Sequence, residues 1–276
     1  MTGGREWRER QYWSDVIAVR PDEVIARRVA ASARTRERTD ARLDLRYGPL
    51  QRQTLDLFLP AGNGGSPLLV FIHGGYWMRG SKDEWAFLAP AWTDRGIAVA
   101  ALGYRLAPAV KLTDIISDIR SALAYLEREF DGRELDTSNV VLSGISAGAH
   151  LAAMEATATD GIKPVGIALL SGVFDPRPLE LTTPGAALSD SLVADLEDIS
   201  PLGRPPPDCP AIIAWGADET AVFKSQSKML ARYWGNWGVQ AELAEIGGAN
   251  HFTISDCLQA DRNSSVVDFI LRRLMP

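Results

Sequence analysis

The chain has 276 residues, of which 46% are hydrophobic and 23% charged, so it can bury a sizeable core and is not disordered. Its formal net charge of −6 favours a soluble protein and argues against a nucleic-acid partner, because nucleic-acid-binding proteins usually present a basic face. The two cysteines, Cys209 and Cys257, lie far apart and lack metal-ligand spacing. They are therefore expected to be free thiols in a reducing compartment.

No targeting or membrane-spanning pattern stands out. Residues 1–10 are charged and lack the apolar stretch of a signal peptide. No apolar run approaches the roughly 18 residues that a membrane span needs. The sequence therefore predicts a cytoplasmic protein with no membrane partner.

The first part of the chain is predicted to be a helical segment, residues 1–40, that packs on the core or on a lid. The arginine-rich stretch 27–46 also contains acidic residues and is interpreted as a solvated helix face. Two alternating segments, 42–46 and 53–59, flank Tyr47-Gly48-Pro49, which predicts a β-hairpin.

Residues 41–276 are predicted to form one domain in which strands alternate with helices. Near-continuous apolar runs, typical of strands buried on both faces, occur at Leu68–Ile72, Ile97–Leu102, Val140–Leu142, Val165–Leu170 and Ala211–Trp215, and a last strand is predicted at Val239–Ile246. Helical patterns cover Ile115–Phe130, Ala147–Ala158, Val222–Trp234 and Ser264–Leu274. The alternation predicts an α/β fold with a mostly parallel twisted sheet and helices on both faces. The proline-rich segment 175–207 breaks the alternation and is predicted to be a small lid insertion over the carboxyl edge of the sheet.

Residues 144–148 read Gly-Ile-Ser-Ala-Gly, between a short β-branched strand and a run of helix-forming residues. A serine at a strand-to-helix turn exposes its hydroxyl group, and the flanking glycines let two backbones approach closely. This context predicts that Ser146 is a catalytic nucleophile rather than a serine in an ordinary turn.

A serine hydroxyl needs a base to take its proton, and the chain has only three histidines. His73 directly follows a strand, and His150 lies four residues after Ser146, where a structural role is expected. His251 lies in a loop after the last predicted strand, as the chain order serine, acid, histidine requires. His251 is therefore the predicted base.

The acid is expected in the loop that follows the strand at Ala211–Trp215, where Asp218 and Glu219 are adjacent. Aspartate is the commoner triad acid, which favours Asp218, but Glu219 lies three residues after the glycine that ends the strand. We favour Glu219 and keep Asp218 as the alternative.

The oxyanion hole is predicted from His73-Gly74-Gly75-Tyr76-Trp77, because a His-Gly-Gly pattern after the third strand supplies backbone donors in serine hydrolases. The N–H groups of Gly75, Tyr76 and Ala147 are the expected donors.

These motifs together resemble α/β-hydrolases of the arylformamidase (kynurenine formamidase) group, near the hormone-sensitive-lipase-like esterases, over about residues 40–276. Residues 73–77 match the group's HGGYW signature, and residues 146–151 and 251–252 also fit. Two departures are Ile145, where the group often has histidine, and the acid loop, where animal enzymes use aspartate. The resemblance implies a serine hydrolase of tryptophan catabolism that cleaves the formamide of an N-formyl aryl amine similar to N-formylkynurenine. It implies neither a metal nor a cofactor.

The pocket is expected to be aromatic, because bulk beside the oxyanion hole suits a small formyl group and aromatic surfaces suit an aryl leaving group. The predicted substrate contacts are Tyr76, Trp77, Phe174, Phe223 and Phe252, each of which could instead be a core residue. The alternative function is a broad carboxylesterase acting on short-chain acyl esters. A third possibility is a binding protein that has lost catalysis. The expected partner is a small-molecule aryl formamide or ester, and a homodimer is left open.

Overall fold

The computed structural model describes residues 2–17, 19–37, 41–62, 64–259 and 264–275. Residues 1, 18 and 38–40 of the predicted N-terminal helical segment lie outside these ranges. No helix within the ranges is both long and apolar enough to cross a membrane.

The centre of the fold is an eight-stranded sheet with the order β1-β2-β4-β3-β5-β6-β7-β8. The strands are β1 Ala41–Arg46, β2 Thr54–Phe58, β3 Ser66–Ile72, β4 Ala98–Leu102, β5 Leu135–Ile145, β6 Gly166–Leu170, β7 Ala211–Gly216 and β8 Ala241–Ile246. β2 pairs antiparallel with both β1 and β4, and every other pairing is parallel. The predicted α/β fold, its mostly parallel sheet and its entry hairpin are confirmed.

The helices number eleven in the described ranges, with one π-helical turn, Arg10–Ser14, near the start. They are α1 Thr2–Glu9, α2 Asp15–Ile17, α3 Asp22–Arg36, α4 Ala89–Thr93, α5 Leu112–Phe130, α6 Ala147–Ala156, α7 Thr183–Ala186, α8 Ser189–Leu192, α9 Leu196–Ile199, α10 Ala221–Asn236 and α11 Ser265–Leu274. Short 3₁₀ turns lie at Lys82–Glu84, Ala86–Leu88, Arg177–Leu181, Pro201–Gly203 and Ile254–Leu258. The four helices predicted from the sequence are all present.

Two apolar cores lie on opposite faces of the sheet. On one face, α5, α6 and α10 pack in a single cluster with Leu68, Val70 and Ile72 of β3. On the other face, α4 and α11 pack against Leu69 and Phe71 of the same strand. Alternate residues of β3 thus enter different cores, which explains why the strand is a continuous apolar run.

The arginine-rich stretch contributes to a buried ion-pair network, so its interpretation as a solvated helix face is wrong for part of its length. Arg36 forms an ion pair with Asp56, a fully buried carboxylate of β2. Lys82 is also buried, and its Nζ lies 2.7 Å from the Asp56 Oδ1 atom. Asp44 and Asp83 complete the cluster around Lys82. The buried carboxylate requires these cations, because an unpaired charge in the interior is strongly destabilising.

Candidate active site

The turn between β5 and α6 holds Ser146 in the strained backbone conformation expected of a nucleophile. Its φ is 56° and its ψ is −119°, a region that costs a non-glycine residue about 1–3 kcal/mol. A Cβ atom on Gly148 would lie 2.0 Å from the carbonyl oxygen of Ile72 at the end of β3, and one on Gly144 would lie 2.4 Å from the carbonyl carbon of Gly148. Both glycines are therefore needed because the start of α6 packs directly against β3 and β5.

Glu219, and not Asp218, faces the imidazole of His251. The Glu219 Oε2 atom lies 3.5 Å from His251 Nδ1, and both residues are buried. The other carboxylate oxygen accepts hydrogen bonds from the Ser171 hydroxyl group and from the Gly216 N–H. Asp218 is exposed to solvent. The arrangement can orient the ring and stabilise its protonated form, which is what a triad acid does.

The imidazole of His251 is also held by an aromatic ring. The ring centroid of Phe223 lies 4.1 Å from that of His251, and Phe252 contacts the imidazole at 5.8 Å in a T-shaped arrangement. With Nδ1 directed to Glu219, the remaining ring nitrogen, Nε2, is the one that can exchange a proton with Ser146. His251 and Ser146 line the same cavity.

The loop after β3 presents backbone donors next to Ser146. Gly75, Tyr76 and Trp77 have consecutive positive φ values of 124°, 53° and 58°. Among the described residues, neither the Gly75 N–H nor the Tyr76 N–H donates to a backbone carbonyl. Ala147 is the first residue of α6, where a backbone N–H has no acceptor within the helix. These three groups can therefore stabilise a negatively charged oxygen.

The π-helical turn near the N-terminus contacts both the loop after β3 and the loop after β7. The Tyr76 hydroxyl group donates to the backbone carbonyl of Tyr12, and the Thr220 hydroxyl group donates to that of Gln11 at 2.8 Å. Gln226 donates to the Tyr12 hydroxyl group at 2.9 Å. Burial raises the pKa of Tyr12 to about 12, so this phenol remains protonated. The turn thereby helps to fix Tyr76 in the loop after β3.

A cavity of about 570 Å³ opens in front of Ser146. Its wall has three parts: the N-terminal helices and their connection, the segment after β3, and the catalytic loops. The lining residues are Trp13, Ile17, Arg20, Pro21, Asp22, Ile25, Arg28, Gly74, Gly75, Tyr76, Arg79, Gly80, Glu84, Trp85, Ile145, Ser146, His251 and Phe252. The volume is that of a typical small-molecule site.

The N-terminal helices cover the cavity, whereas the proline-rich segment 175–207 does not. Seven of the 18 lining residues come from residues 13–28, and none comes from 175–207 in the part of the chain that the structure describes. That segment instead packs to the side, where Thr183 donates to Glu9 and Ser191 accepts from the Leu112 N–H. The expectation of a lid at 175–207 over the site is therefore not met.

Two of the five aromatic residues predicted to contact substrate, Tyr76 and Phe252, line the cavity. Trp77, Phe174 and Phe223 do not line it, because all three are fully buried in the core. Trp77 packs against His150, and Phe223 packs against His251 and Tyr12. The assignment of these three side chains to the substrate is therefore corrected. Trp13 and Trp85 provide aromatic surface in the cavity instead.

The other two histidines are structural. His73 is stacked on Tyr104 with 4.1 Å between ring centroids, and burial lowers its pKa to about 3. His150 contacts the Ile199 carbonyl at 2.8 Å, and burial lowers its pKa to about 4. Both imidazoles are therefore neutral at physiological pH.

These buried histidines should make the protein less stable in mild acid. Unfolding restores an ordinary histidine pKa of about 6.5, so the unfolded chain binds more protons below that pH, and stability is lost as the pH falls from 6.5 toward the folded values. At pH 5 each buried histidine is expected to lower the free energy of unfolding by about 2 kcal/mol. The variant His150→Gln tests this, because its amide can still donate to Ile199. In urea unfolding, the free energy of unfolding of His150→Gln should fall about 2 kcal/mol less between pH 7 and pH 5 than that of wild type. An equal loss in both proteins would contradict a buried neutral His150.

Comparison with known proteins assigns the class. A family model described as BD-FAE matches residues 55–166. A Silicibacter sp. TM1040 protein described as a candidate thioesterase is 29% identical with a TM-score of 0.76, covering 90% of this chain and 93% of its own. Esterase B of Lactobacillus rhamnosis has the same fold, with a TM-score of 0.74, 24% identity, and coverage of 93% and 91% of the two chains. The chain is a hydrolase of the α/β-hydrolase fold.

The particular resemblance within this class is to kynurenine formamidases. The Danio rerio kynurenine formamidase is 29% identical over 278 residues, which is 95% of this chain and 92% of the relative. A match over 95% of the chain extends beyond residues 41–276 into the N-terminal segment. The resemblance predicted from the sequence motifs is confirmed.

Proposed function

We propose that this protein is a serine hydrolase that cleaves the formamide bond of an N-formyl aryl amine similar to N-formylkynurenine. The observation that carries the proposal is the position of Tyr76, a buried side chain anchored to Tyr12 directly beside the oxyanion donors. Bulk at this position suits a formyl group, which has only hydrogen on its carbonyl carbon. The similarity to kynurenine formamidase over most of the chain supports the same substrate class.

The first half of the reaction forms an acyl-enzyme. The Ser146 hydroxyl oxygen attacks the formyl carbon while its proton passes to Nε2 of His251. The resulting oxyanion is stabilised by the N–H groups of Gly75, Tyr76 and Ala147. Collapse of this intermediate breaks the C–N bond, and His251 returns the proton to the departing amine nitrogen.

The second half releases formate and restores the serine. A water molecule gives a proton to His251 and attacks the formyl ester of Ser146, and the same N–H groups stabilise the second oxyanion. The Ser146 oxygen leaves and takes the proton back from His251. Glu219 keeps the imidazole oriented and stabilises its positive charge in both halves. No step requires a metal or an organic cofactor.

The leaving aryl amine fits the other wall of the cavity. Trp13, Trp85 and Phe252 offer aromatic surface there, and Ile17 and Ile25 add aliphatic surface. Apolar side chains of this kind suit an aryl ring, which gains favourable contacts with aromatic groups.

The alternative is a broad carboxylesterase for short-chain acyl esters, which the fold shared with esterase B also fits. Anilides of one aryl amine separate the two functions, because only the acyl group changes. We expect kcat/KM for N-formylaniline to exceed that for N-acetylaniline about 10- to 200-fold, the discrimination that one methyl group produces in a confined pocket. Equal rates on both anilides, with phenyl acetate preferred to either, would support the carboxylesterase instead.

A cytoplasmic location is part of the same proposal. Both Cys209 and Cys257 are free thiols, and burial raises the pKa of each to about 12, so neither is a reactive thiolate. Unpaired cysteines fit a reducing compartment. The homodimer stays a prediction.

A further inference from the structure

Arginines outnumber carboxylates among the side chains that line the cavity. Its charged lining residues are Arg20, Arg28, Arg79, Asp22 and Glu84. Three arginines outnumber two carboxylates among these lining side chains, whereas the chain as a whole has a net charge of −6. A site of this kind attracts an anion to a protein that would otherwise repel it.

One of these arginines is already neutralised. Arg28 pairs with Glu84 at 3.0 Å, and its guanidinium lies 4.0 Å above the Trp85 ring. Its side chain is only 11% exposed. The Arg28–Glu84 pair is therefore part of the wall and not a free charge for a ligand.

Arg79 is different, because aromatic faces rather than a carboxylate hold its guanidinium. The group lies 4.9 Å from the Trp13 ring centroid and 6.0 Å from that of Tyr76, and no Asp or Glu oxygen within the described ranges lies within 4 Å of it. A guanidinium that stacks through its face keeps its N–H edge available for a carboxylate.

The backbone of Arg79 is held against Gly75 in the loop after β3. The Arg79 N–H donates to the Gly75 carbonyl at 3.1 Å, and a Cβ atom on Gly75 would lie 2.2 Å from the Arg79 carbonyl oxygen. This close contact places Arg79 on the same segment as Gly75 and Tyr76, the predicted oxyanion donors. Arg20, an exposed residue with a φ of 50°, adds a second positive charge to the cavity wall.

We propose that Arg79 binds a carboxylate carried by the leaving-group part of the substrate, with Arg20 strengthening the local positive potential. The inference that this carboxylate belongs to an aryl amine rests on the proposed function. The preferred substrate is then an N-formyl aryl amine with an acidic side chain, rather than a neutral formanilide. Arg79 acts in binding and takes no part in bond cleavage.

The first test measures binding without turnover. Isothermal titration calorimetry measures the binding of two ligands to wild type and to Arg79→Gln. The ligands are 3-phenylpropionate and neutral 3-phenylpropanamide, which have the same shape but differ in charge. We expect Arg79→Gln to weaken 3-phenylpropionate binding about tenfold or more, as expected for loss of a charge-assisted hydrogen bond, and to leave the amide within twofold. Arg79→Lys should retain part of the affinity. Arg128→Gln, which removes an exposed charge from α5 away from the cavity, is the matched control.

The second test measures turnover of 3-(2-formamidophenyl)propionate beside N-formylaniline. Arg79→Gln should raise KM for the first about tenfold with little change in kcat, and it should raise KM for N-formylaniline much less. Equal effects on both substrates, or equal binding of 3-phenylpropionate by wild type and variant, would overturn the anion site. Loss of 3-phenylpropionate affinity in a protein that cleaves no formamide would instead uphold the anion site and reject the proposed function.

Discussion

Ser146→Ala is expected to lower kcat by about 10⁴-fold or more on any substrate the protein cleaves, because the nucleophile of an acyl-enzyme mechanism has no substitute. KM should change little, since the remaining cavity wall still binds substrate. Initial rates with p-nitrophenyl acetate, which needs no knowledge of the natural substrate, measure the loss.

The structure offers a matched control for this substitution in the strand that precedes the turn. Ser143 is buried in β5, three residues before Ser146, and its hydroxyl group has no hydrogen-bond partner among the described residues. Ser143→Ala removes the same atom and should keep kcat within a fewfold of wild type. Both variants should retain the circular dichroism spectrum of wild type. A Ser146→Ala rate within tenfold of wild type would contradict the assignment of the nucleophile.

Glu219→Gln is expected to lower kcat about 10³- to 10⁴-fold, whereas Asp218→Asn should change it less than threefold. The amide of glutamine cannot stabilise a protonated His251, and it can favour the wrong ring tautomer, which is the main penalty when a triad acid loses its charge. Asp218 is exposed, and the imidazole faces Glu219 instead, so the charge of Asp218 contributes little. Steady-state rates of the two single variants on one substrate measure the difference.

A third variant separates charge from geometry at this position. Ser171 donates to Glu219 Oε1, so Ser171→Ala leaves the carboxylate charge in place but removes one group that orients it. Its kcat should fall between those of wild type and Glu219→Gln. A larger loss in Asp218→Asn than in Glu219→Gln would show that the acid has been assigned to the wrong residue.

The features that could be predicted from the sequence depend on short stretches of chain. β4, β6 and β7 are buried along their whole length, so they appear as uninterrupted apolar runs. The turn at Ser146 requires small residues at fixed spacing, which gives a recognisable pentapeptide. The choice of His251 followed from the presence of only three histidines.

The features that could not be predicted depend on contacts between distant segments. Trp13 lines the cavity together with Ser146, although more than 130 residues separate the two in the sequence. The hydrophobic periodicity of the chain does not predict which distant segments meet. Trp77 and Tyr76 are adjacent aromatic residues with similar φ, yet one is in the core and the other lines the cavity. Their different roles follow from which elements pack around each ring.

The choice between Asp218 and Glu219 shows the same limit within a single loop. Asp218 and Glu219 are adjacent acidic residues in one turn, so the surrounding sequence is the same for both and favours neither strongly. In the structure, the bonds from Ser171 and from the Gly216 N–H hold the Glu219 carboxylate inside the loop, toward His251. Ser171 belongs to the segment after β6, which the sequence did not connect with the acid.

The most direct test of the proposed function is kcat/KM for N-formylkynurenine beside p-nitrophenyl acetate, with Ser146→Ala as the blank for both reactions. Kynurenine formation and p-nitrophenol release are both followed by absorbance. We expect N-formylkynurenine to be preferred by at least about tenfold, because it offers a small acyl group, an aryl leaving group and a carboxylate for Arg79. Efficient cleavage of p-nitrophenyl acetate with little turnover of N-formylkynurenine would contradict the formamidase proposal and leave a general esterase.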